Sequence, residues 1–158
     1  MKNRQTVPLK TEKKVIGYTA GTFDLFHVGH LTLLENAKKM CDYLIVGVNS
    51  DELVNSYKMK RTFIKAEQRS RIVDALKVVN EVHIVHTLDK TIAWQMFHFD
   101  IVFIGSDWKG SERWSSTEEE LAVLGANVSY LPYTVGISTS EISLKLKSDG
   151  EITKQQCD

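Results

Sequence analysis

The stretch Gly21-Thr22-Phe23-Asp24-Leu25-Phe26-His27-Val28-Gly29-His30 stands between two segments whose patterns leave little choice of local fold. Before it, Val15-Ile16-Gly17-Tyr18-Thr19-Ala20 is a short apolar run of strand length, the pattern of a buried strand. After it, the segment from Leu31 to Lys39 has the spacing of an amphipathic helix. Two histidines three apart at a helix start lie near one face, beside backbone N–H groups that have no intrahelical acceptor. The positive helix end and the imidazole donors add together there, which suits an anion and above all the phosphates of a nucleotide. The competing reading is a crossover whose histidines only cap and pack. The length of the string and its strand–helix context argue against it.

The rest of the chain repeats the strand–helix alternation. Asp42 to Ser50 reads as a second buried strand, with Asn49, Ser50 and Asp51 as turn and helix-start residues. Asp51 to Thr62 loosens into a polar stretch that contains Lys58-Met59-Lys60-Arg61. Helices are expected over 64–76, 91–97 and 117–124, the last ended by Gly125. Strands are expected over 82–85, 101–105 and 128–131, and Ser138 opens a final helix. This order predicts an α/β fold: an open, doubly wound parallel sheet with helices on both faces and right-handed crossovers. In such sheets the ligand lies beyond the carboxyl ends of the strands, where the strand order reverses. The expected organisation is a single domain over 14–147, with residues 1–13 and 148–158 as flexible tails.

Bulk properties narrow the class. A chain of 158 residues, 42% hydrophobic and 25% charged, is large enough for one ordinary core. Lys+Arg and Asp+Glu both number 20, so no basic face is expected for nucleic acid. Binding a single nucleotide needs only a local cluster of positive groups. Cys41 and Cys157 have no metal-ligand spacing, which fits a reducing, cytoplasmic setting. No segment is long and apolar enough to span a membrane, and none reads as a signal peptide.

Gly21-Thr22-Phe23-Asp24 followed by His27-Val28-Gly29-His30 resembles the GTFDxxHxGH signature of the cytidylyltransferase-like nucleotidyltransferases. Within them, the span from about Lys14 to Leu146 is most similar to the bacterial glycerol-3-phosphate cytidylyltransferases. The resemblance implies a Rossmann-like nucleotidyltransferase fold. It also implies transfer of CMP from CTP to a small phosphomonoester such as glycerol 3-phosphate, with Mg²⁺ accompanying the triphosphate and pyrophosphate released. Such chemistry needs no strong base, because the attacking phosphate is already an anion. The site must hold two polyanions together and neutralise charge growing on the α- and bridging oxygens.

Site residues follow from the same resemblance. His27 and His30 can act as donors, with either orienting the α-phosphate. Gly21, Thr22, Phe23 and Gly29 complete the motif, and the glycines allow close backbone approach to the phosphates. Asp24 is either a pocket residue or a turn or capping carboxylate. Gly136-Ile137-Ser138-Thr139-Ser140-Glu141 resembles the family's GIST segment, where hydroxyls at a helix start would cradle the β- and γ-phosphates. Ser138 with Glu141 equally fits a capping box. Lys58 and Lys60 align with a catalytic lysine pair on a loop that can fold over the triphosphate, and a solvated charged face is the plainer reading. Arg69 aligns with a substrate-binding arginine. Gly105-Ser106-Asp107-Trp108-Lys109-Gly110 resembles the family's G-x-D-W-x-G. Asp107 would accept from cytosine or ribose, and Trp108 would wall the pocket or pack at a strand-end turn. No metal ligands are assigned to protein side chains.

The pattern also breaks. Where the glycerol-3-phosphate enzymes read Arg-Thr-Glu-Gly, this chain reads Tyr133-Thr134-Val135-Gly136, and an arginine of their Arg-Tyr-Val-Asp becomes Lys77, which the resemblance places among the substrate-binding residues. Lysine does not reproduce a bidentate arginine clamp, so the acceptor is left open, with other polyol phosphates, phosphocholine and phosphoethanolamine in range. Two alternatives stand beside cytidylyl transfer: an adenylyltransferase of the same superfamily, and a nucleotide-binding module without turnover. The resemblance further implies a homodimer, with its contact near 77–82.

Overall fold

In a computed structural model, the described residues are 13–132 and 136–155. Among them the chain alternates β1 (Ile16–Gly21), α1 (Val28–Lys38), β2 (Tyr43–Asn49), α2 (Asp51–Lys58), α3 (Ala66–Asp74), β3 (Glu81–Val85), α4 (Lys90–Phe97), β4 (Ile101–Gly105), α5 (Glu112–Val123), β5 (Asn127–Leu131) and α6 (Thr139–Gln155). The five strands form one sheet in the order β3-β2-β1-β4-β5, and every pairing is parallel. The doubly wound parallel sheet is therefore present, and its order reverses between β1 and β4.

The core explains why the strands read as near-continuous apolar runs. Along β2, Leu44, Val46 and Val48 join Leu34 and Ala37 of α1 and Val73 of α3 in one buried layer. Ile45 points to the other layer, with Tyr18, Ala93 of α4, Val102, and Trp114 and Leu121 of α5. Both faces of the sheet are covered, so both sets of alternate side chains must be apolar.

Two helices depart from the sequence expectation. The stretch from Asp51, expected to loosen, is helical to Lys58. Ser50 caps it by accepting from Leu53 N at 3.1 Å, and Met59 ends it in the left-handed region at φ 51°. The helix is short and mostly polar, and only Val54 of it is buried. Helix α5 begins at Glu112 rather than 117, and it buries Trp114 in its first turn. Helix α6 opens at Thr139 and runs to Gln155.

Sheet geometry creates the crevice. β1 stays paired with β2 as far as Gly21↔Val48, whereas β1 pairs with β4 only at Gly17↔Ile101 and Tyr18↔Val102. Above that point the Thr19 hydroxyl, itself buried, donates to the Phe103 carbonyl at 3.0 Å. The two strands thus part toward their carboxyl ends, at the place where a doubly wound sheet receives its ligand.

Candidate active site

A cavity of about 600 Å³ fills this crevice. Its wall includes Gly21, Thr22, Phe23, Asp24, His27, Gly29 and His30 from the motif, and Lys58 and Lys60 from the end of α2. Asp107 reaches it from beyond β4, and Ile137, Ser138, Thr139 and Ser140 from the start of α6. Four segments far apart in sequence therefore meet in one cavity.

The histidines build the helix start themselves. His27 is the N-cap of α1 in extended conformation, and its Nδ1 accepts from Gly29 N at 3.1 Å. His30 Nδ1 accepts from the His27 backbone N–H at 3.3 Å, so the pair forms a reciprocal capping box. Their rings stack with centroids 3.8 Å apart. A side chain on Gly29 would begin 2.9 Å from His27 Cε1, so the glycine makes room for the imidazole as well as for a ligand. Because each Nδ1 accepts, the neutral imidazoles carry their proton on Nε2. His27 Nε2 lies 3.5 Å from the Thr139 hydroxyl. His30 Nε2 has no hydrogen-bond partner among the described residues and stands ready as a donor to an anion. Burial lowers the His30 pKa to about 4, helped by the neighbouring His27 and Lys58. Burial also lowers that of His27, against the opposing pull of Glu141. Both rings are thus neutral donors near neutral pH.

Asp24 resolves into more than either of its two readings. It is buried, it lines the cavity, and its carboxylate accepts from Phe63 N at 2.8 Å and Ile64 N at 3.0 Å. It therefore ties the segment after Lys60 to the motif. The residues on either side of it, Phe23 and Leu25, have φ of 53° and 48°. This is the left-handed region that costs an L-residue on the order of 1 kcal/mol or more. Burial of Phe23 in the core and the Asp24 clamp hold that turn in place.

The second cradle is joined to the first. The Thr139 hydroxyl donates to the Asp24 carbonyl at 3.0 Å, and Ser138 Oγ accepts from Glu141 N at 3.2 Å. Ser138 therefore caps α6 while still lining the cavity, so capping and phosphate binding are compatible. Gly136, with φ 92°, supplies a left-handed turn that glycine adopts at no steric cost. It is not itself on the wall.

Besides Gly136, three expected site residues lie off the wall. Arg69 is fully buried and off the wall. Its guanidinium donates to the carbonyls of Ile64 (2.8 Å), Asn49 (2.9 Å) and Thr22, and to Asp51 Oδ1 at 2.6 Å. Burial tends to raise the Asp51 pKa, but hydrogen bonds from Arg69, Thr62 and Ala66 N outweigh it and leave the carboxyl below its ordinary value. Arg69 thus joins the carboxyl ends of β1 and β2 to the start of α3 and does not reach the cavity wall. Lys77 is exposed between α3 and β3, at the amino end of the strands and opposite the cavity. Trp108 is 46% exposed and does not wall the cavity. It follows Asp107 in a 3-10 turn, Ser106–Trp108, that carries it outward. Conversely, Arg61 and Thr62 do line the cavity. The signal for Arg61 was its place in the same charge run as Lys58 and Lys60. Tyr133 and Val135 fall outside the described residues.

A parallel sheet with a strand-end histidine box, a basic segment and a second hydroxyl-bearing helix start defines a nucleotide-binding α/β protein. The chain belongs to the cytidylyltransferase-like family, whose model matches residues 18–144. It is 42% identical over 137 residues to the glycerol-3-phosphate cytidylyltransferase of Bacillus spizizenii, covering 86% of this chain and 98% of that protein. It is also 39% identical over 129 residues to the FAD synthase of Thermococcus onnurineus, covering 78% of this chain and 83% of that one. Among solved structures, a lipopolysaccharide core biosynthesis protein from Thermoplasma volcanium superposes with a TM-score of 0.66 at 25% identity, over 77% of this chain and 98% of that one.

Proposed function

We propose that this protein transfers CMP from CTP to a small phosphomonoester such as glycerol 3-phosphate. An acceptor phosphate oxygen attacks the α-phosphorus, a new P–O bond forms, and the bond to the bridging oxygen breaks to release pyrophosphate. The observation that carries the reading is the meeting of His27, His30, Lys58, Lys60 and Ser138–Ser140 in one cavity. In this reading the Nε2–H groups of the histidines donate to the α-phosphate oxygens as charge grows there. Lys58 and Lys60 neutralise the triphosphate as point charges, and the hydroxyls of Ser138 and Ser140, with the backbone N–H groups at the start of α6 including that of Thr139, hold its β- and γ-phosphates. Gly21, Thr22 and Phe23 form the floor under the nucleotide, and Asp107 accepts from the base or ribose. The acceptor phosphate would meet Arg61, which Asp24 holds at the wall through its clamp on Phe63 and Ile64.

Mg²⁺ accompanying the triphosphate belongs to the proposal. Among the described residues no group of three or more His, Cys, Asp or Glu side chains stands together to hold a metal. The residues present fit a cation carried on phosphate oxygens and water, as Mg²⁺ commonly is with nucleotides. When bound, it would offset charge on the triphosphate. A pair of such chains is also proposed, with its contact near residues 77–82; a light-scattering mass of one chain would remove that part. No helix among the described residues is long and apolar enough to cross a membrane.

The test is a matrix of nucleoside triphosphates against acceptor phosphates, read as pyrophosphate release. CTP with at least one phosphomonoester should turn over, and silence across the matrix would overturn the reading. The similarity to an FAD synthase favours adenylyl transfer as the second reading, and faster release from ATP than from CTP would select it.

A further inference from the structure

The end of α2 carries a hydrogen-bonded chain that no part of the transfer chemistry requires directly. Asn49, 4% exposed at the carboxyl end of β2, donates from Nδ2 to the Tyr57 hydroxyl at 3.1 Å. The Tyr57 oxygen lies 3.2 Å from Thr22 Oγ1, and Lys58 Nζ donates to the same Thr22 oxygen at 3.3 Å. Asn49 supplies the proton in its contact with Tyr57, so the phenolic O–H is free to donate onward to Thr22. Lys58 has only protons to give, so Thr22 Oγ1 accepts from Lys58 and shares one proton with the Tyr57 oxygen. Thr22 itself lines the cavity. Tyr57 does not line it.

We propose that Tyr57 is a positioning residue of the phosphate site: its hydroxyl holds the Thr22 hydroxyl at the cavity wall for a bound polyphosphate and keeps Lys58 beside it. The inference rests on the reading of the cavity as a triphosphate site. Lys58 Nζ also sits 5.5 Å above the Tyr57 ring, an attraction between cation and ring face that phenylalanine would keep. The hydroxyl and the ring can therefore be separated by substitution.

The experiment compares wild type, Tyr57→Phe, Thr22→Val and the double variant for binding of inorganic tripolyphosphate and of CTP by calorimetry, with thermal unfolding as a control. Tyr57 is 39% exposed, so Tyr57→Phe should fold, with a modest fall in melting temperature because buried Asn49 Nδ2 loses its acceptor. It should bind tripolyphosphate about fivefold to tenfold more weakly, the worth of one well-directed hydrogen bond. Thr22→Val should lose at least as much, and the double variant no more than Thr22→Val, because Tyr57 acts through Thr22. If turnover is measured, the loss in Tyr57→Phe should appear in the KM for nucleotide and not in kcat. Thr22→Ser should bind as wild type. Unchanged binding in Tyr57→Phe, losses that add in the double variant, or a wild type that does not bind tripolyphosphate would each overturn the inference. If wild type binds and Tyr57→Phe weakens that binding while no nucleotide–acceptor pair turns over, the inference stands and the transfer reading fails.

Discussion

Two walls of the cavity meet its ligand in different ways. The motif wall is packed into the protein: Phe23 and Asp24 are 5% and 6% exposed, and the two histidines cap α1 with each other's help. The basic wall, residues 58–62, is a surface segment in which Met59 is 90% exposed and Lys60 and Arg61 are exposed as well. It is fastened only near its ends, by Thr22 to Lys58 at one and by Asp24 and Asp51 to residues 62–64 at the other. The difference assigns the work. A packed wall can hold donors to within the tolerance that a charge-developing transition state requires, whereas long, solvated lysine side chains supply charge over a range of positions. Substitutions in the first should change stability and kcat together. In the second they should change affinity and leave the fold alone.

The largest expected effect falls on the joint behind both walls. Arg69→Ala removes a buried cation, leaves three carbonyls without its donors and takes from Asp51 its charged partner, with only Thr62 and Ala66 N still donating to it. The cost should be about 3–5 kcal/mol of unfolding free energy, measured by urea denaturation. A loss below about 1 kcal/mol would show that the two walls are not coupled through it.

Next comes His30. His30→Ala should lower kcat by about 10²–10³, the usual cost of one donor to developing charge, and wild-type rates would break the assignment of donors to the packed wall. The same residue sets a pH dependence. Its folded pKa lies near 4, below its ordinary 6.5, so the unfolded chain binds the extra proton between those values. The stability held by neutral His30 is complete above pH 6.5 and is lost as pH falls toward 4, an effect on the order of 2–3 kcal/mol. His30→Gln should flatten that slope in denaturation curves collected across this range.

The smallest effect tests the exposed wall. Lys60→Ala should raise the KM for nucleotide about tenfold, roughly the worth of one charge-assisted contact, and the raised KM should be sensitive to salt. The melting temperature should not move. A fall in melting temperature would place this segment in the packed class and erase the contrast.

Much of the fold could be read from the chain because its signals are local. The apolar run of β2 is strand-length because both faces of the sheet are covered, and Gly125 with φ 82° follows α5 as its cap residue should. Helix α2 escaped notice because it is only eight residues long and mostly polar, with Leu53, Val54 and Tyr57 too short a run to stand out from a polar stretch. The same holds within the site. His27 and His30 were legible as a pair at a helix start because they lie within four residues of each other, whereas the capping box they also form appears only in the structure. Arg69 was not, since in sequence a buried joint and a substrate clamp are the same residue type.

The sequence by itself determined the alternating sheet, the histidine box and the segments that carry hydroxyls and positive charge, because periodicity, capping and charge are written in neighbouring residues. Only the tertiary structure decided what each polar group touches. It turned Arg69 inward to Thr22, 47 residues away, and closed Asp24 onto Phe63 across 39. Joining Thr139 to Asp24 across 115 residues, it also put Lys77 and Trp108 off the cavity and brought Tyr57 to Thr22. Those outcomes depend on which strands part and which helix ends meet, and no local pattern encodes a contact made at that distance.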